Sequence, residues 1–224
     1  MPRGSLLPEK VKAAVFDMDG LLIDSEPIWQ DSEILIFGNH GLALQREDCM
    51  QTMGLRIDEV VSYWKERRPD ALGNADDDTL VEEILTEVKD RIRRDGTPMP
   101  GALNAVRALS ESMPVGLASS SFTSVIQTAL KKLEIAHYFQ VIHSAQEERK
   151  GKPAPDVYLS ACKLLGVPPP DCLALEDSPG GVESALAAGM QVIAVPHPDH
   201  RNHPSIQKAH LILDSLESFG WPPA

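Results

Sequence analysis

The stretch Val15–Leu22 reads VFDMDGLL and decides the fold, because it places two carboxylates directly after a short apolar run. Side chains two residues apart in a strand point to the same side. A strand that ends at Phe16 would therefore direct Asp17 and Asp19 at one small volume, and Gly20 would allow a sharp turn. Two carboxylates held this close repel each other unless a proton or a cation lies between them.

A divalent metal would satisfy this arrangement. Mg²⁺ prefers hard oxygen ligands and commonly binds one or two protein carboxylates together with a phosphate. Open α/β sheets bind their ligands at the carboxyl ends of their strands. The stretch therefore predicts a metal site at the end of the first strand. The alternative is a turn that carries two solvated aspartates, since Asp-rich turns are common.

Three later stretches favour the metal site. Val115–Ser121 (VGLASSS) is typical of a second strand, and it ends in hydroxyl side chains. Gly151–Pro153 lies in a loop before the helical pattern of Asp156–Leu165. Cys172–Ser178 (CLALEDS) predicts a third strand, which ends in acids and is followed by a Pro-Gly-Gly turn. Each stretch brings chemistry-bearing side chains to the end of a predicted strand or to a loop beside one.

In this order, the four stretches resemble those of the haloacid dehalogenase-like superfamily of aspartate-nucleophile phosphotransferases. The similarity covers essentially the whole chain, from about Lys12 to Phe219. The most similar subgroup is that of the small sugar-phosphate phosphatases, the 2-deoxyglucose-6-phosphate and hexitol phosphatases. The stretches that carry this likeness are Phe16–Pro27, Gly54–Arg56, Leu117–Ser119 and Ala174–Ser178. The resemblance implies a Rossmann-like core with an inserted cap.

The spacing of the motifs also predicts an insertion. A βαβ unit needs roughly 30 residues, and far more separate Asp17 from Ser119. The surplus is polar with a helical pattern, so we expect a helical cap domain at 26–95. The core domain would then comprise 1–25 and 96–224. The alternative is one continuous α/β domain.

After this insertion, helical patterns alternate with short apolar runs, which predicts an α/β fold with a doubly wound parallel sheet. One of the predicted strands is Phe139–Ile142.

Composition excludes some partners. The 224-residue chain has a formal net charge of −12, so a nucleic-acid backbone is not expected as a partner. An anionic substrate would need a local positive group. Three cysteines without metal spacing indicate reduced packing residues, and no signal peptide or membrane span is recognised. We therefore expect a cytoplasmic protein, a monomer by default, with no membrane partner.

Asp17 is predicted to be the nucleophile, and Asp19 the general acid and base. The Asp17 carboxylate would attack phosphorus and form an aspartyl-phosphate. Asp19 would protonate the leaving alkoxide and then activate the water that hydrolyses the intermediate. The resemblance assigns the same roles to these two positions. Asp19 could instead bind the metal through its side chain, whereas the family uses its backbone carbonyl.

The phosphoryl group needs donors and a positive charge. We expect Ser119 and backbone N–H groups near Ser120 to bind phosphoryl oxygens, although serines at a strand end can simply cap a helix. Lys152 would offset charge in the transition state. Lys150 is a nearby rival, but the family pattern requires the lysine that precedes Pro153.

Mg²⁺ is the expected cofactor. By resemblance it would bind Asp17, the carbonyl of Asp19, Asp177 and Glu176, together with phosphate and water. Asp177 is the firmer ligand of the acidic pair, and Glu176 could act behind the metal instead.

The cap is expected to select the substrate. By resemblance, Arg56 lies in a cap loop that reaches into the active site, where it could bind sugar hydroxyls or a second anion. Trp29 could pack against a sugar face, and Glu26 could line the cleft. Each of these residues could equally be an ordinary surface or packing residue.

These observations predict a Mg²⁺-dependent phosphomonoesterase that acts on small phosphorylated sugars or sugar alcohols. The first alternative is a β-phosphoglucomutase-like isomerase. Those mutases resemble one another in carrying a histidine in the first cap helix, where this chain has Trp29. A C–halogen hydrolase would lack Mg²⁺ and the second aspartate, so Asp19 and Asp177 argue against it. A non-catalytic binding protein would not require the complete set of motif residues.

Overall fold

A computed structural model of the chain describes residues 10–221. Its strands form one parallel sheet in the order β3-β2-β1-β4-β5-β6. They are β1 (Ala13–Phe16), β2 (Val115–Ser119), β3 (Val141–Ser144), β4 (Cys172–Glu176), β5 (Gln191–Ala194) and β6 (Leu211–Ile212). The chain runs outward from β1 to β3 and then returns to start again at β4. The predicted doubly wound parallel sheet is therefore confirmed.

The helices fall into two groups along the chain. Those between β1 and β2, which we call the inserted helices, are α1 (Glu26–Asn39), α2 (Arg46–Cys49), α3 (Ile57–Arg67), α4 (Pro69–Leu72) and α5 (Asp77–Asp95). The others are α6 (Ala102–Ser110), α7 (Thr123–Lys132), α8 (Asp156–Leu165) and α9 (Pro179–Ala187). Short 3-10 helices occupy Ala136–Tyr138, Ala145–Glu147, Pro169–Asp171, Pro198–His200, Ile206–Lys208 and Leu216–Ser218.

The central strands are apolar on both faces. All residues of β1, β2 and β4 are buried, as parallel strands covered by helices on both sides require. The long helix α5 begins where the Asp76 side chain accepts a hydrogen bond from the Thr79 N–H at 2.9 Å. Its apolar positions recur at helical spacing and face the core. Local sequence and burial thus agree along these elements.

The two connections to the inserted helices run side by side. Ile23 forms an antiparallel bridge with Pro98, and the Asp24 N–H donates to the Thr97 carbonyl at 3.0 Å. Helix α1 begins at Glu26 and α5 ends at Asp95, which are the predicted boundaries. The buried apolar cluster nevertheless continues from the sheet into the inserted helices. The division into two domains stays a prediction.

The predicted strand at Phe139–Ile142 is two residues too early. Strand β3 spans Val141–Ser144 because Gly116 of β2 pairs with Val141. Phe139 precedes the strand, and its ring packs edge-on against Phe16 at 6.2 Å between centroids. Within residues 10–221, every helix is too short or too polar to cross a lipid bilayer.

Candidate active site

The pairing of β1 with β4 brings the acidic motifs together. Phe16 lies opposite Leu175, and the Asp17 N–H donates to the Leu175 carbonyl at 3.0 Å. Asp17 therefore follows β1 at the level where Glu176 ends the neighbouring strand β4 and Asp177 follows it. One carboxylate oxygen from each of these three residues lies within 4.8 Å of the others.

This cluster is electrostatically costly without a counter-ion. The pKa of Asp17 is raised to about 8, chiefly by burial; Lys152 opposes this shift, and the carboxylates of Glu176 and Asp19 add to it. Burial also raises the pKa of Asp177 well above its ordinary value, with Asp17 and Glu176 adding to the effect. A divalent cation bound by oxygen ligands would relieve this repulsion. The residues present fit a metal site.

Two glycines allow the acids to approach this closely. A Cβ on Gly20, whose φ is +73°, would lie 2.3 Å from Oδ2 of Asp177. A Cβ on Gly181, in the first turn of α9, would lie 1.9 Å from Oε1 of Glu176. Any other residue would collide with a metal-site carboxylate, so both positions require glycine.

Lys152 lies in the centre of the acidic group and is only 5% exposed. Its Nζ donates to Oδ1 of Asp17 at 2.5 Å, to Oε1 of Glu176 at 2.7 Å and to the carbonyl of Ala118 at 3.1 Å. Burial alone would lower the pKa of this ammonium, but the two carboxylates outweigh burial and the pKa is raised. Lys152 is therefore a permanent positive charge beside Asp17, whereas Lys150 is exposed.

Glu176 is fully buried, and both of its oxygens have partners. Oε1 accepts hydrogen bonds from Lys152 and from the Tyr158 hydroxyl, each at 2.7 Å. Oε2 accepts from the backbone N–H groups of Asp177 and Ser178 at 3.1 and 3.3 Å. These contacts fix the orientation of Glu176 and hold the lysine in place. Direct ligation of the metal by Glu176 stays a prediction.

The carboxylate of Asp19 accepts four hydrogen bonds from side chains. Oδ1 accepts from the Ser25 hydroxyl at 2.7 Å and from the Trp29 indole N–H at 3.0 Å. Oδ2 accepts from the Ser121 hydroxyl at 2.7 Å and from the Ser119 hydroxyl at 3.3 Å. Donors from both sides fix the position of this carboxylate beside Asp17.

The three serines at the end of β2, Ser119 to Ser121, have different environments. The Ser119 hydroxyl is buried between Asp19 and the Ser121 N–H, which donates to it at 3.0 Å. The Ser120 Oγ is buried but has no hydrogen-bond partner among the described residues, and Ser120 lines the cavity at the site. Helix α7 starts after Phe122 without a side-chain cap, so Ser121 does not cap it. Ser120 is the serine whose free hydroxyl lies at the cavity.

A small cavity of about 80 Å³ opens at these groups. On one side it is lined by Asp17, Asp19, Lys152 and Asp177. On the other side it is lined by residues that share one face of α1, namely Glu26, Trp29, Gln30 and Glu33. Burial raises the pKa of Glu26, whose carboxylate accepts from Gln30 at 2.7 Å. A neighbouring cavity of about 380 Å³ shares Glu26 and Asp177 with the first one.

The structure does not bring Arg56 to this cavity. Its guanidinium donates to the carbonyls of Ala145 and Glu148 at 3.0 and 2.8 Å, and to Oδ2 of Asp58 at 2.6 Å. These contacts occupy the donors of the guanidinium, and they link the start of α3 to backbone carbonyls that follow β3. This arrangement does not favour the expected contact of Arg56 with a substrate.

Sequence reasoning missed Glu33 and Tyr158. Glu33 could have been found from helical spacing, because it lies seven residues after Glu26 and four after Trp29. Tyr158 contacts Glu176 from helix α8, and no local pattern indicates that contact.

Comparisons with known proteins show the family of the chain. The sequence model for the haloacid dehalogenase-like hydrolases matches residues 14–195. Hexitol phosphatase B of Escherichia coli strain K12 is 36% identical over 93% of this chain and 94% of its own length. A Drosophila melanogaster protein named "Probable pseudouridine-5'-phosphatase" is 34% identical over 95% of each chain. The crystal structure of β-phosphoglucomutase from Clostridium difficile superposes with a TM-score of 0.82 over 94% of each chain, at 22% identity, and shows the shared fold.

A doubly wound parallel sheet with an acidic cluster and a buried lysine at adjacent strand ends, together with these relatives, defines a phosphatase of the hydrolase class. The chain belongs to the haloacid dehalogenase-like hydrolase family. The phosphatase class predicted from the sequence is confirmed.

Proposed function

We propose that the chain is a Mg²⁺-dependent phosphomonoesterase that hydrolyses hexose or hexitol 6-phosphates, such as 2-deoxyglucose 6-phosphate, through an aspartyl-phosphate. One observation carries this proposal. Asp17, Asp19, Lys152 and Asp177 converge at the edge of a small cavity whose far side is formed by a polar helix face. The name of hexitol phosphatase B, a relative over nearly the full length, supports the substrate class.

In the first step, a carboxylate oxygen of Asp17 attacks phosphorus, and the bond between phosphorus and the ester oxygen breaks. Asp19 donates its proton to the departing alkoxide. The Lys152 ammonium, 2.5 Å from Asp17, offsets negative charge on the transferring phosphoryl group. The free hydroxyl of Ser120 would donate to a phosphoryl oxygen, and direct contact of Ser119 with the phosphoryl group stays a prediction because its hydroxyl donates to Oδ2 of Asp19 at 3.3 Å.

In the second step, water attacks the phosphorus of the aspartyl-phosphate and gives a proton to Asp19. The bond between phosphorus and Asp17 breaks, which restores the carboxylate and releases inorganic phosphate. The four hydrogen bonds to Asp19 keep its carboxylate in one place through both steps. One fixed group can therefore serve as acid and then as base.

Asp17, Asp177 and the backbone carbonyl of Asp19 would hold Mg²⁺, with Glu176 as a further ligand or as the group that positions Lys152. When bound, the ion neutralises charge on the phosphoryl oxygens and on the crowded carboxylates. The raised pKa values of Asp17 and Asp177 support this requirement.

The inserted helices would act as a cap that closes over the substrate. The cavity of about 80 Å³ is smaller than the pockets of roughly 300 Å³ and more that bind drug-sized ligands, so a hexose phosphate needs movement of the helices or space in the neighbouring cavity of about 380 Å³. The contacts of Arg56 with the carbonyls of Ala145 and Glu148 would hold the closed arrangement. Closure would exclude bulk water from the reacting groups.

The test is phosphate release from a panel of monoesters, with Mg²⁺ and with EDTA. The panel contains 2-deoxyglucose 6-phosphate, mannose 6-phosphate, sorbitol 6-phosphate, β-glucose 1-phosphate, phosphoglycolate and a nucleoside 5'-monophosphate. We expect Mg²⁺-dependent release that is fastest from the hexose and hexitol 6-phosphates. Preferential release from the nucleotide would contradict the proposed substrate class and leave the reaction intact.

The isomerase alternative makes a different prediction in the same assay. A β-phosphoglucomutase would convert β-glucose 1-phosphate to glucose 6-phosphate faster than it releases phosphate. By the resemblance, mutases of that kind carry a histidine in the first cap helix where this chain would have Trp29. The indole N–H of Trp29 donates to Asp19. We therefore expect hydrolysis to dominate.

A further inference from the structure

Glu33 places a buried carboxyl oxygen without a partner among the described residues at the wall of the cavity. It lies on α1 in the same helical face as Glu26, Trp29 and Gln30, and all four line the cavity. Its side chain is buried, with 7% of the residue exposed. Its Oε2 has no hydrogen-bond partner among the described residues. A buried carboxyl oxygen without a partner requires an explanation, because most buried polar atoms in proteins form a hydrogen bond.

The surroundings of Glu33 do not provide that partner. Its other contact is a hydrogen bond with Cys49, a weak thiol donor. Burial raises the pKa of Glu33 to about 8, so the carboxyl is mainly protonated at neutral pH. A protonated carboxyl both donates and accepts hydrogen bonds. A ligand hydroxyl, which also does both, is the matching partner.

A second anionic group would be a poor match. Among the described residues that line the cavity, Lys152 is the only cation, and it is already paired with Asp17 and Glu176. Glu26 lies on the opposite helix face and would repel a distal phosphate or carboxylate, and a protonated Glu33 offers such an anion no positive partner. The cavity therefore suits a leaving group that is polar but uncharged.

We propose that Glu33 selects the substrate by hydrogen bonding a neutral hydroxyl of the leaving group. This inference rests on the proposed function, and it narrows the substrate to monoesters of polyhydroxylated, otherwise uncharged alcohols. Esters whose leaving group lacks hydroxyls leave Oε2 unpaired. Esters with a second anion, such as phosphoglycolate, meet the acidic helix face.

The test compares Glu33→Leu and Glu33→Gln on two substrates, sorbitol 6-phosphate and ethyl phosphate, which lacks hydroxyls. The measured quantity is kcat/KM for sorbitol 6-phosphate divided by kcat/KM for ethyl phosphate. For Glu33→Leu we expect this ratio to fall about tenfold, mainly through a higher KM for sorbitol 6-phosphate. Glu33→Gln keeps a donor and an acceptor, so its ratio should stay within about threefold of the wild type. If Glu33 had a purely structural role, its replacement would lower kcat/KM for both substrates equally and leave the ratio constant.

The matched control is Glu82→Gln, which changes an exposed glutamate of α5. It should leave the ratio unchanged. If Glu33→Leu does not fold, Glu33→Asp provides the same test, since it withdraws the carboxyl by one methylene and should also lower the ratio. An unchanged ratio in a folded Leu or Asp variant would overturn this inference alone. A wild type that releases phosphate from none of the esters would instead overturn the proposed function.

Discussion

The indole nitrogen of Trp29 lies 3.0 Å from Oδ1 of Asp19. This hydrogen bond joins the first inserted helix to the carboxylate that we assign as the general acid and base. Ser25, at the start of the same helix, donates to the same oxygen at 2.7 Å. The position of Asp19 therefore depends on where helix α1 lies. If α1 moves when the cap opens, Asp19 loses the hydrogen bonds from Ser25 and Trp29. The acid–base step at Asp19 would then require a closed cap.

Trp29→Phe should lower kcat about tenfold, because a hydrogen bond to a charged group contributes roughly 1.5–3 kcal/mol and three other donors remain. The ring is kept, so the melting temperature should change little. Steady-state kinetics on sorbitol 6-phosphate measures the effect. Trp64→Phe is the matched control, since its indole nitrogen is buried but unpartnered among the described residues. Equal losses in both variants would show that the Trp29 bond has no specific role.

Lys152→Met should lower both kcat and stability. The substitution leaves Asp17 and Glu176 buried without their common cation, and breaking a buried ion pair in this way costs about 3–5 kcal/mol. Lys150→Met is the control, because Lys150 is exposed. The rate of phosphate release and the melting temperature would be measured for both variants and compared with the wild type.

Glu33→Gln should change how stability depends on pH. The carboxyl has an ordinary pKa of 4.5 in the unfolded chain and a pKa of about 8 in the folded one. Between these values the folded state holds a proton that the unfolded state has lost, so wild-type stability falls as pH rises. The amide does not titrate.

The stability of Glu33→Gln relative to the wild type should therefore increase from about pH 5 to about pH 9, by up to about 4 kcal/mol. Urea melts across this range measure the difference. The result would be contradicted by parallel pH profiles for the two proteins.

Mg²⁺ should raise the melting temperature of the wild type, and less so at acidic pH. Burial raises the pKa of both Asp17 and Asp177, so protons compete with the metal for these carboxyls at a higher pH than they would for ordinary aspartates. Metal binding must displace those protons, so affinity falls as pH falls. Asp177→Asn should reduce the stabilisation by Mg²⁺ strongly. If Mg²⁺ raised the melting temperature of the variant as much as that of the wild type, the ion would bind at another site.

The central site was predictable because its signals are local. Asp17 and Asp19 form a two-residue pattern after an apolar run, and Asp177 follows another such run. Parallel strands bring those ends together in space, so no distant contact had to be known. Helix α8 spans Asp156–Leu165 as predicted, because its apolar periodicity is clear and Gly166 ends it in a left-handed conformation.

The parts that were not predicted depend on tertiary contacts. Helices α2 and α4 have four residues each, which is too few for a periodic pattern to appear. Arg56 has the residue type of an anion ligand, but its guanidinium is directed to backbone carbonyls far along the chain. The buried oxygen of Glu33 becomes visible only when the cavity is assembled.

The most direct test of the central claim is to detect phosphate bound to Asp17. Radiolabelled acetyl phosphate, whose leaving group needs no proton, would be mixed with the wild type, Asp19→Asn and Asp17→Asn, and the reactions quenched with acid. We predict that label accumulates on the Asp17-containing peptide in Asp19→Asn, because loss of the base slows hydrolysis of the intermediate. Asp17→Asn should carry no label and should lose turnover by about 10³-fold or more. Label on another residue, or wild-type phosphate release by Asp17→Asn, would contradict the account.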